Sequence, residues 1–435
     1  MDADTLDTAV DKALWRLLPI AMLLFFFSLL DRTNISFAAL EMNKDLGLSP
    51  AQYGTAAGVF FIGYFLFEIP SNFLLQRTGA RVWLARIMIT WGLVVMAMAW
   101  VQGLASLYVL RFLLGVAEAG LLPGLLLYLS LWLPARQRGL AFATLLATPA
   151  IAYAIGAPLT AGMMKVAAFG LRGWQFMYLV QGAATVVVGI ATLFILPNAV
   201  ERAAWLTGNE KASLRARLEA EYEEKKLTGA TSLWQGFFDP RVLLATATGF
   251  FLVCANFGTV LWLPQIVRAI LPQLGILQIS LFISFAFLIG GVGGVLLGRH
   301  SDKSGDRKWH VAGSALVAAV GYGLAAWSSL EIVQLVGLCI GILGVWSIFG
   351  VFWAYAGDLL GGDAAVGGLA FVNSISAVGG LVAPIVLGFA LQKYGSIGGS
   401  LYALAVFSLL TALAACTLTP IRRASQRSTV VGATG

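Results

Sequence analysis

Twelve long apolar stretches interrupt this sequence, and they restrict the chain to a membrane fold. A helix needs about 20 apolar residues to cross the hydrocarbon core of a bilayer. Stretches of about this length cover residues 17–40, 52–75, 82–102, 104–132, 138–165, 173–197, 241–268, 278–300, 308–328, 331–358, 364–391 and 396–419. Only 11% of the residues are charged, against about 25% in soluble domains. The sequence therefore predicts an all-α membrane protein with twelve transmembrane helices.

Lysine and arginine are distributed unevenly between the two sides that these spans define. Of the 28 basic residues, 21 lie in segments on the same side as both termini, and 5 lie in the alternate loops. Basic residues are enriched on the cytoplasmic side of a membrane, so both termini are expected in the cytoplasm. This bias also accounts for the net charge of +7, and nucleic-acid binding is therefore not predicted.

A charged segment separates the first six spans from the last six, and motifs recur in the two halves. QRTGAR ends at Arg81 and DKSGDR ends at Arg307, while A-P-x-x-x-G begins at Ala157 and again at Ala383; both offsets are 226. Such repeats predict two pseudo-symmetric six-helix bundles, which are typical of alternating-access transporters. The predicted divisions are a cytoplasmic N-terminal segment 1–16, a first bundle 17–197, a cytoplasmic linker 198–240, a second bundle 241–419 and a cytoplasmic tail 420–435.

No motif in the sequence indicates an enzyme. A nucleotide-binding loop, a cluster of metal ligands and a nucleophile motif are all missing from the sequence. Cys254, Cys339 and Cys416 lie inside apolar stretches without paired spacing, so neither a disulfide framework nor a metal site is predicted. No cofactor is expected, and transport would be driven by an ion gradient or by substrate exchange.

Several ionisable side chains lie inside the apolar stretches: Asp31, Arg32, Glu68, Arg111 and Glu118. Charges within the hydrocarbon are costly and usually mark a transport pathway. Arg111 and Glu118 are seven positions apart, so they share one helix face at about 10.5 Å along the axis. Gly115 lies between them and would leave room for the arginine side chain. The sequence therefore predicts that Arg111 is the partner of Glu118.

The second half does not repeat these charges. Asp31, Arg32, Arg111 and Glu118 correspond at the 226 offset to Phe257, Gly258, Gly337 and Gly344. A structural requirement of the fold would be expected in both halves, so the charges are interpreted as a specialisation of the first half. The alternative is a set of internal salt bridges that only hold the first and fourth helices together.

Several motifs resemble the major facilitator superfamily. NFLLQRTGARVWLAR is similar to its loop G-x-x-x-D-R-x-G-R-R between helices two and three, and the second copy keeps Gly298, Asp302, Gly305 and Arg307. LLDRTNISFA, FEIPSN, RFLLGVAEAGLLPG and FVNSISAVGGLVAP resemble the anion:cation symporter family within it. The resemblance implies the major facilitator fold in a bacterial-type inner membrane. It also implies import of organic anions, typically carboxylates, often together with protons.

The buried charges and the resemblance together predict a proton-coupled symporter. Its substrate would be a small organic carboxylate, either a sugar acid, a hydroxy acid or an aromatic acid. When an acid beside an arginine takes up a proton, the arginine loses its partner and a substrate carboxylate can replace it. Arg32 is the predicted substrate anchor, and Asp31 and Glu118 are the predicted proton carriers. The alternative is an organic-anion exchanger or uniporter without proton coupling. Either would act as a monomer in the lipid bilayer.

Further candidates lie in both halves; the resemblance implies Tyr64, Asn373 and Ser374, and Trp353 could line the wall of the second half. The substrate-binding candidates besides Arg32 are Tyr64, Trp353, Asn373 and Ser374. For Trp353 packing is the alternative interpretation, and Tyr64 could equally be an ordinary core tyrosine. The gating candidates, which would form contacts between the halves on the cytoplasmic side, are Glu68, Arg77, Arg81, Asp302 and Arg307.

Overall fold

The computed structural model describes residues 3–227, 239–359 and 364–419. The helices are α1 (Ala3–Asp45), α2 (Pro50–Thr78), α3 (Ala80–Ala97), α4 (Leu104–Glu118), α5 (Leu121–Ser130), α6 (Ala135–Leu146), α7 (Thr148–Met164), α8 (Gly173–Ile195), α9 (Gly208–Leu227), α10 (Pro240–Ile270), α11 (Ile276–Ser304), α12 (Lys308–Trp327), α13 (Glu331–Leu359), α14 (Ala364–Ala377), α15 (Gly379–Tyr394) and α16 (Ile397–Thr417). In these ranges 12 helical spans are long and apolar enough to cross a membrane. The predicted all-α fold with twelve transmembrane helices is confirmed.

Some spans differ in detail from the pattern of apolar residues. α1 begins at Ala3 and runs for 43 residues, so most of the predicted N-terminal segment 1–16 is a continuation of the first span. The fourth span is broken after Glu118, because Ala119 leaves the helical region and Gly120 adopts a left-handed conformation with φ of 87°. The fifth span breaks at Ala147, two residues before Pro149, whose nitrogen cannot donate to a helical carbonyl.

The first part of the predicted linker packs against the first half. Lys12 Nζ lies 2.6 Å from Glu210 Oε1 on α9. Glu221, also on α9, accepts the Ala135 backbone N–H at the start of α6, with a distance of 3.0 Å to Oε2. α9 is therefore held to α1 and α6. Residues 228–238 of the linker and the predicted tail 420–435 lie outside the described residues.

The two halves meet at the end of the bundle away from α9. We call the end that carries α9 the linker face and the opposite end the distal face. α2 packs on α15, α7 on α11 and α1 on α10. Among the described residues three side-chain hydrogen bonds join the halves, all near the distal face: Tyr53 donates to Leu261 O, Asn43 donates to Gln265, and Gln392 accepts from the Ala51 N–H. Within the described ranges no ion pair or side-chain hydrogen bond joins the halves at the linker face, so the seam is closed distally.

Backbone rather than side chains makes the tightest contact at this seam. A Cβ added at Gly54 on α2 would lie 2.2 Å from Pro384 O on α15. A Cβ at Gly388 on α15 would lie 2.5 Å from Pro50 O. A neighbouring backbone cannot move aside as a flexible side chain can, so closure of the distal face depends on these glycines.

Replacement of Gly54 by alanine is expected to favour a distally open form. Overpacking costs about 1–3 kcal/mol, which corresponds to a shift of about 5–150-fold between two states. Spin labels at Lys44→Cys and Lys393→Cys, with the native cysteines replaced, would report a longer distance between the distal ends of the halves. Gly162→Ala is the matched control, because a Cβ there meets nothing within 4 Å. An unchanged distance distribution in Gly54→Ala would contradict this account.

Candidate functional site

An ion pair between α1 and α4 lies in the interior of the first half. Arg32 Nη2 donates to Glu118 Oε1, and Ser28 Oγ donates to the same oxygen at 2.7 Å. Glu118 is fully buried at the end of α4, while 14% of the Arg32 side chain is exposed. Ser28 lies one helical turn before Arg32, so one face of α1 supplies both donors to this carboxylate.

The structure pairs Glu118 with Arg32 rather than with Arg111, so the partner predicted for Glu118 is wrong. Arg111 instead donates from Nε to Ala56 O at 3.2 Å and from Nη2 to Ala57 O at 3.3 Å, both on α2. The reason is the close approach of α2 to α4. A Cβ at Gly115 would lie 2.0 Å from Phe60 O, so the space at this glycine is taken by α2 and not by the arginine.

The guanidinium of Arg32 is only partly used. Glu118 accepts from Nη2 alone, and Arg32 Nε is buried without a hydrogen-bond partner among the described residues. Nε and Nη2 lie on the same edge of the guanidinium, which can bind a carboxylate through two parallel hydrogen bonds. Glu118 Oε2 is likewise buried and unpaired in the described chain. The ion pair is therefore monodentate, and a second carboxylate could bind this edge more completely.

Aromatic rings from α2 cover the same guanidinium. Arg32 Cζ lies 5.2 Å from the ring centroid of Phe60 and 5.2 Å from that of Tyr64. The guanidinium of Arg111 lies 5.1 Å from the Phe60 centroid. Tyr64, a sequence-predicted candidate, is thus brought to Arg32, whereas Phe60 was not predicted.

Asp31 lies next to Arg32 in sequence, but its carboxylate faces the core of the first half. Its Oδ2 accepts hydrogen bonds from Trp91 Nε1 on α3 at 2.9 Å and from Thr185 Oγ1 on α8 at 2.8 Å. Asn34 donates to Oδ1 at 3.4 Å. The side chain is fully buried, so this carboxylate connects three helices within one half and is separate from the Arg32 pair.

The Arg32 site adjoins the seam between the halves. A small cavity there is lined from the first half by Thr33, Ser36, Phe37, Tyr153 and Ala157, and from the second half by Val260, Pro264, Ile283 and Phe287. The Tyr153 ring packs on Phe287 at 5.0 Å and on Trp346 at 5.3 Å, centroid to centroid. Tyr153 is also within electrostatic range of Arg32, so it links the charged site to the second half.

The candidates in the second half share no hydrogen bond or ring contact with this cluster among the described residues. Asn373 is exposed, and Ser374 and Trp353 are partly exposed. Trp353 contacts the neighbouring Phe352 ring at 5.2 Å. No hydrogen bond in the described part of the chain joins these three residues to Arg32, so the structure does not bring them to it.

Two of the five gating candidates, Asp302 and Arg307, form a network within the second half. Arg307 Nε lies 2.7 Å from Asp358 Oδ2, at the end of α13, and its Nη2 lies 3.3 Å from Asp302 Oδ1. The acid at 358 was not singled out by the sequence. In the first half the corresponding contacts are missing from the described structure: Glu68, Arg77 and Arg81 make no ion pair there. The electrostatic neighbour of Glu68 is Arg32.

Two six-helix halves, with a buried ion pair beside their seam, are the architecture of a multi-pass membrane transporter. Residues 21–384 match the family model described as Major Facilitator Superfamily. The chain belongs to this superfamily of multi-pass membrane transporters, as its motifs predict, and is not an enzyme.

Known proteins of similar sequence and structure agree with this assignment. The chain is 41% identical over 404 residues to a protein of Agrobacterium vitis named "Putative tartrate transporter", covering 92% of this chain and 89% of the relative. It is 36% identical over 404 residues to a quinolone resistance transporter of Acinetobacter baumannii, covering 91% of each. The crystal structure of a bacterial homologue of the lysosomal transporter Spinster, inward-facing and unoccupied, superposes with a TM-score of 0.76. It is 14% identical and covers 92% of this chain and 97% of its own.

The hydrogen bonds at Asp31 predict different effects for two substitutions. In Asp31→Asn the amide oxygen can still accept from Trp91, while the new amide NH2 group replaces the oxygen that faces Asn34. The Asn34 amide can turn over so that its Oδ1, which is unpaired in the described structure, accepts from that group. Asp31→Leu leaves the buried indole donor unsatisfied, which costs about 1–3 kcal/mol. Thermal unfolding in detergent should therefore show a near-normal Asp31→Asn and a destabilised Asp31→Leu.

Trp91→Phe provides the matched background for this comparison. Without the indole N–H, the cost of Asp31→Leu should fall, because one of the donors that the substitution leaves unpaired is no longer present. An equal cost of Asp31→Leu in both backgrounds would show that the Trp91 hydrogen bond is not the cause.

Proposed function

We propose that this chain is a proton-coupled symporter that imports a small organic carboxylate by alternating access. Two relatives are named "Putative tartrate transporter", which favours a short hydroxy acid such as tartrate as the substrate. The linker face would be cytoplasmic, because most lysines and arginines lie on that side. We further propose that the protein acts as a monomer in a bacterial inner membrane, since one chain supplies every residue of the site.

The monodentate pair of Arg32 and Glu118 carries this proposal. An ionised Glu118 occupies Nη2, so a substrate carboxylate must compete with it for the guanidinium edge. When Glu118 takes up a proton, its negative charge is lost and the Nε–Nη2 edge becomes available. A substrate carboxylate can then accept from both donors, one more than Glu118 uses.

This competition couples the proton to the substrate. Protonation of Glu118 raises the affinity of Arg32 for the substrate, and by thermodynamic reciprocity the bound substrate favours the protonated carboxyl. Binding of the proton alone, or of the substrate alone, would leave the buried site with an unbalanced charge, which is costly in hydrocarbon. Proton and substrate would therefore cross the membrane together.

The other candidate residues take supporting roles in this proposal. Asp31 would be a second proton carrier, and Arg111 would hold α4 against α2 without contact to the substrate. Tyr64 would line the anchor, while Trp353, Asn373 and Ser374 would approach the substrate from the second half. Contacts made by Glu68, Arg77, Arg81, Asp302 and Arg307 would stabilise the form that is closed at the linker face.

Uptake of labelled tartrate into proteoliposomes tests the proposal. An inward pH gradient should drive accumulation above the external concentration, and a protonophore should abolish it. Accumulation that needs a trans carboxylate but no pH gradient would instead support an exchanger. Equilibration that depends on neither would support a uniporter.

Glu118→Gln should separate proton coupling from substrate movement. The amide cannot carry a proton, so the pH gradient should no longer drive accumulation, while counterflow between loaded vesicles and external substrate should continue. Glu331→Gln is the matched control, because Glu331 is an exposed acid at the start of α13. Accumulation by Glu118→Gln with a normal pH dependence would remove Glu118 from the coupling mechanism.

Arg32→Lys should weaken binding without removing the positive charge. Lysine offers a point charge and no planar pair of donors. The loss of one charge-assisted hydrogen bond, about 1.5–3 kcal/mol, corresponds to a rise in KM of roughly 10- to 150-fold. Initial uptake rates over a range of substrate concentrations would measure KM, and an unchanged KM would exclude Arg32 as the anchor.

A further inference from the structure

Phe60 is the one ring that contacts both buried guanidiniums in the described chain. Its centroid lies 5.2 Å from Arg32 Cζ and 5.1 Å from Arg111 Cζ. We propose that Phe60 is a positioning residue that keeps the Arg32 guanidinium in place while its partner changes from Glu118 to a substrate carboxylate. This inference rests on the function proposed above.

The proposal follows from what happens to Arg32 during that exchange. Glu118 is its only ion-pair partner in the described residues. Once Glu118 is protonated, no ion pair among the described residues holds this long, flexible side chain at the seam, and Glu68 remains within electrostatic range without forming an ion pair. The attraction of a cation to an aromatic ring does not depend on the protonation of Glu118. Phe60 and Tyr64 therefore retain the guanidinium when the carboxylate no longer does.

The position of Phe60 suits this role because the ring itself is immobilised. The side chain is fully buried, and its carbonyl oxygen lies against Gly115 of α4. Arg111 donates to Ala56 O and Ala57 O, one helical turn before Phe60 on α2. Arg111 thus holds the turn that precedes Phe60, and the ring of Phe60 in turn holds Arg32.

The contacts also distinguish the functions of the two arginines. Arg111 is fully buried, and its hydrogen bonds in the described structure go to backbone carbonyls rather than to a carboxylate. The negative face of the Phe60 ring offers it additional compensation. Arg111 is then a positioning residue for Phe60, and Arg32, whose side chain is partly exposed, is the arginine that offers an edge to the substrate.

A series of substitutions at Phe60 tests the inference by substrate uptake. Site-specific incorporation of 4-fluoro- and 3,4,5-trifluorophenylalanine keeps the shape of the ring and progressively weakens its negative face. We expect KM to rise stepwise along this series while kcat changes little. Phe60→Leu should raise KM by roughly 2- to 30-fold, the range of a cation–π contact, and Phe60→Tyr should restore most of the affinity.

Phe407→Leu is the matched control for lost packing. Phe407 on α16 is also buried and aromatic, and its ring contacts no guanidinium among the described residues. It should leave KM unchanged even if stability falls. Because the fluorinated variants preserve shape, they report on the ring face even if Phe60→Leu fails to fold.

The outcomes separate this inference from the function on which it rests. Wild-type protein that takes up no carboxylate would overturn the proposed function and this inference with it. Normal wild-type uptake, with a KM that stays constant along the fluorinated series, would overturn the role of Phe60 alone. A KM that rises with fluorination and stays normal in Phe407→Leu is the result that the proposal requires.

Discussion

A positive charge buried in hydrocarbon must be compensated, and the centre of the first half contains two such charges, Arg32 and Arg111. Arg32 is compensated by Glu118 and by two aromatic rings, and Arg111 by backbone carbonyls and by one of the same rings. Each contact joins two different helices: α1 to α4, α1 to α2, or α4 to α2. Compensation of charge and packing of these three helices are therefore the same set of interactions.

The second half solves the packing problem at the equivalent positions without charge. A Cβ at Gly337 would lie 2.7 Å from Gly321 O, and one at Gly344 would lie 2.6 Å from the Ala318 nitrogen. Here α13 and α12 approach through backbone contacts, where the first half places Arg111 and Glu118. The asymmetry supports the interpretation of the charges as a specialisation, because close helix packing at these positions is possible without them.

Much of the fold could be predicted because the bilayer imposes simple rules on a sequence. Helix number follows from apolar length, and buried charges stand out because hydrocarbon tolerates so few. Pairing across helices follows no such rule. Residues 111 and 118 do share a helix face, yet the neighbour at that face is decided by how closely α2 approaches Gly115. Ser28 could have been found, since it lies four residues before Arg32, whereas Trp91 and Thr185 show no sequence relation to Asp31. The predicted contacts of Glu68, Arg77 and Arg81 depend on how the halves meet at the linker face, where the described residues show no ion pair between them.

The backbone contact at the distal face has a consequence for the energetics of a transport cycle. Seams that interlock long side chains must order many rotamers each time they close, at up to about 2 kcal/mol per side chain. Gly54 and Gly388 have no side chain to order, and the opposing surfaces are carbonyl groups already held within helices. Closure therefore costs little conformational entropy. A gate of this kind can be tight and still open readily, because its tightness comes from close fit rather than from many individual bonds.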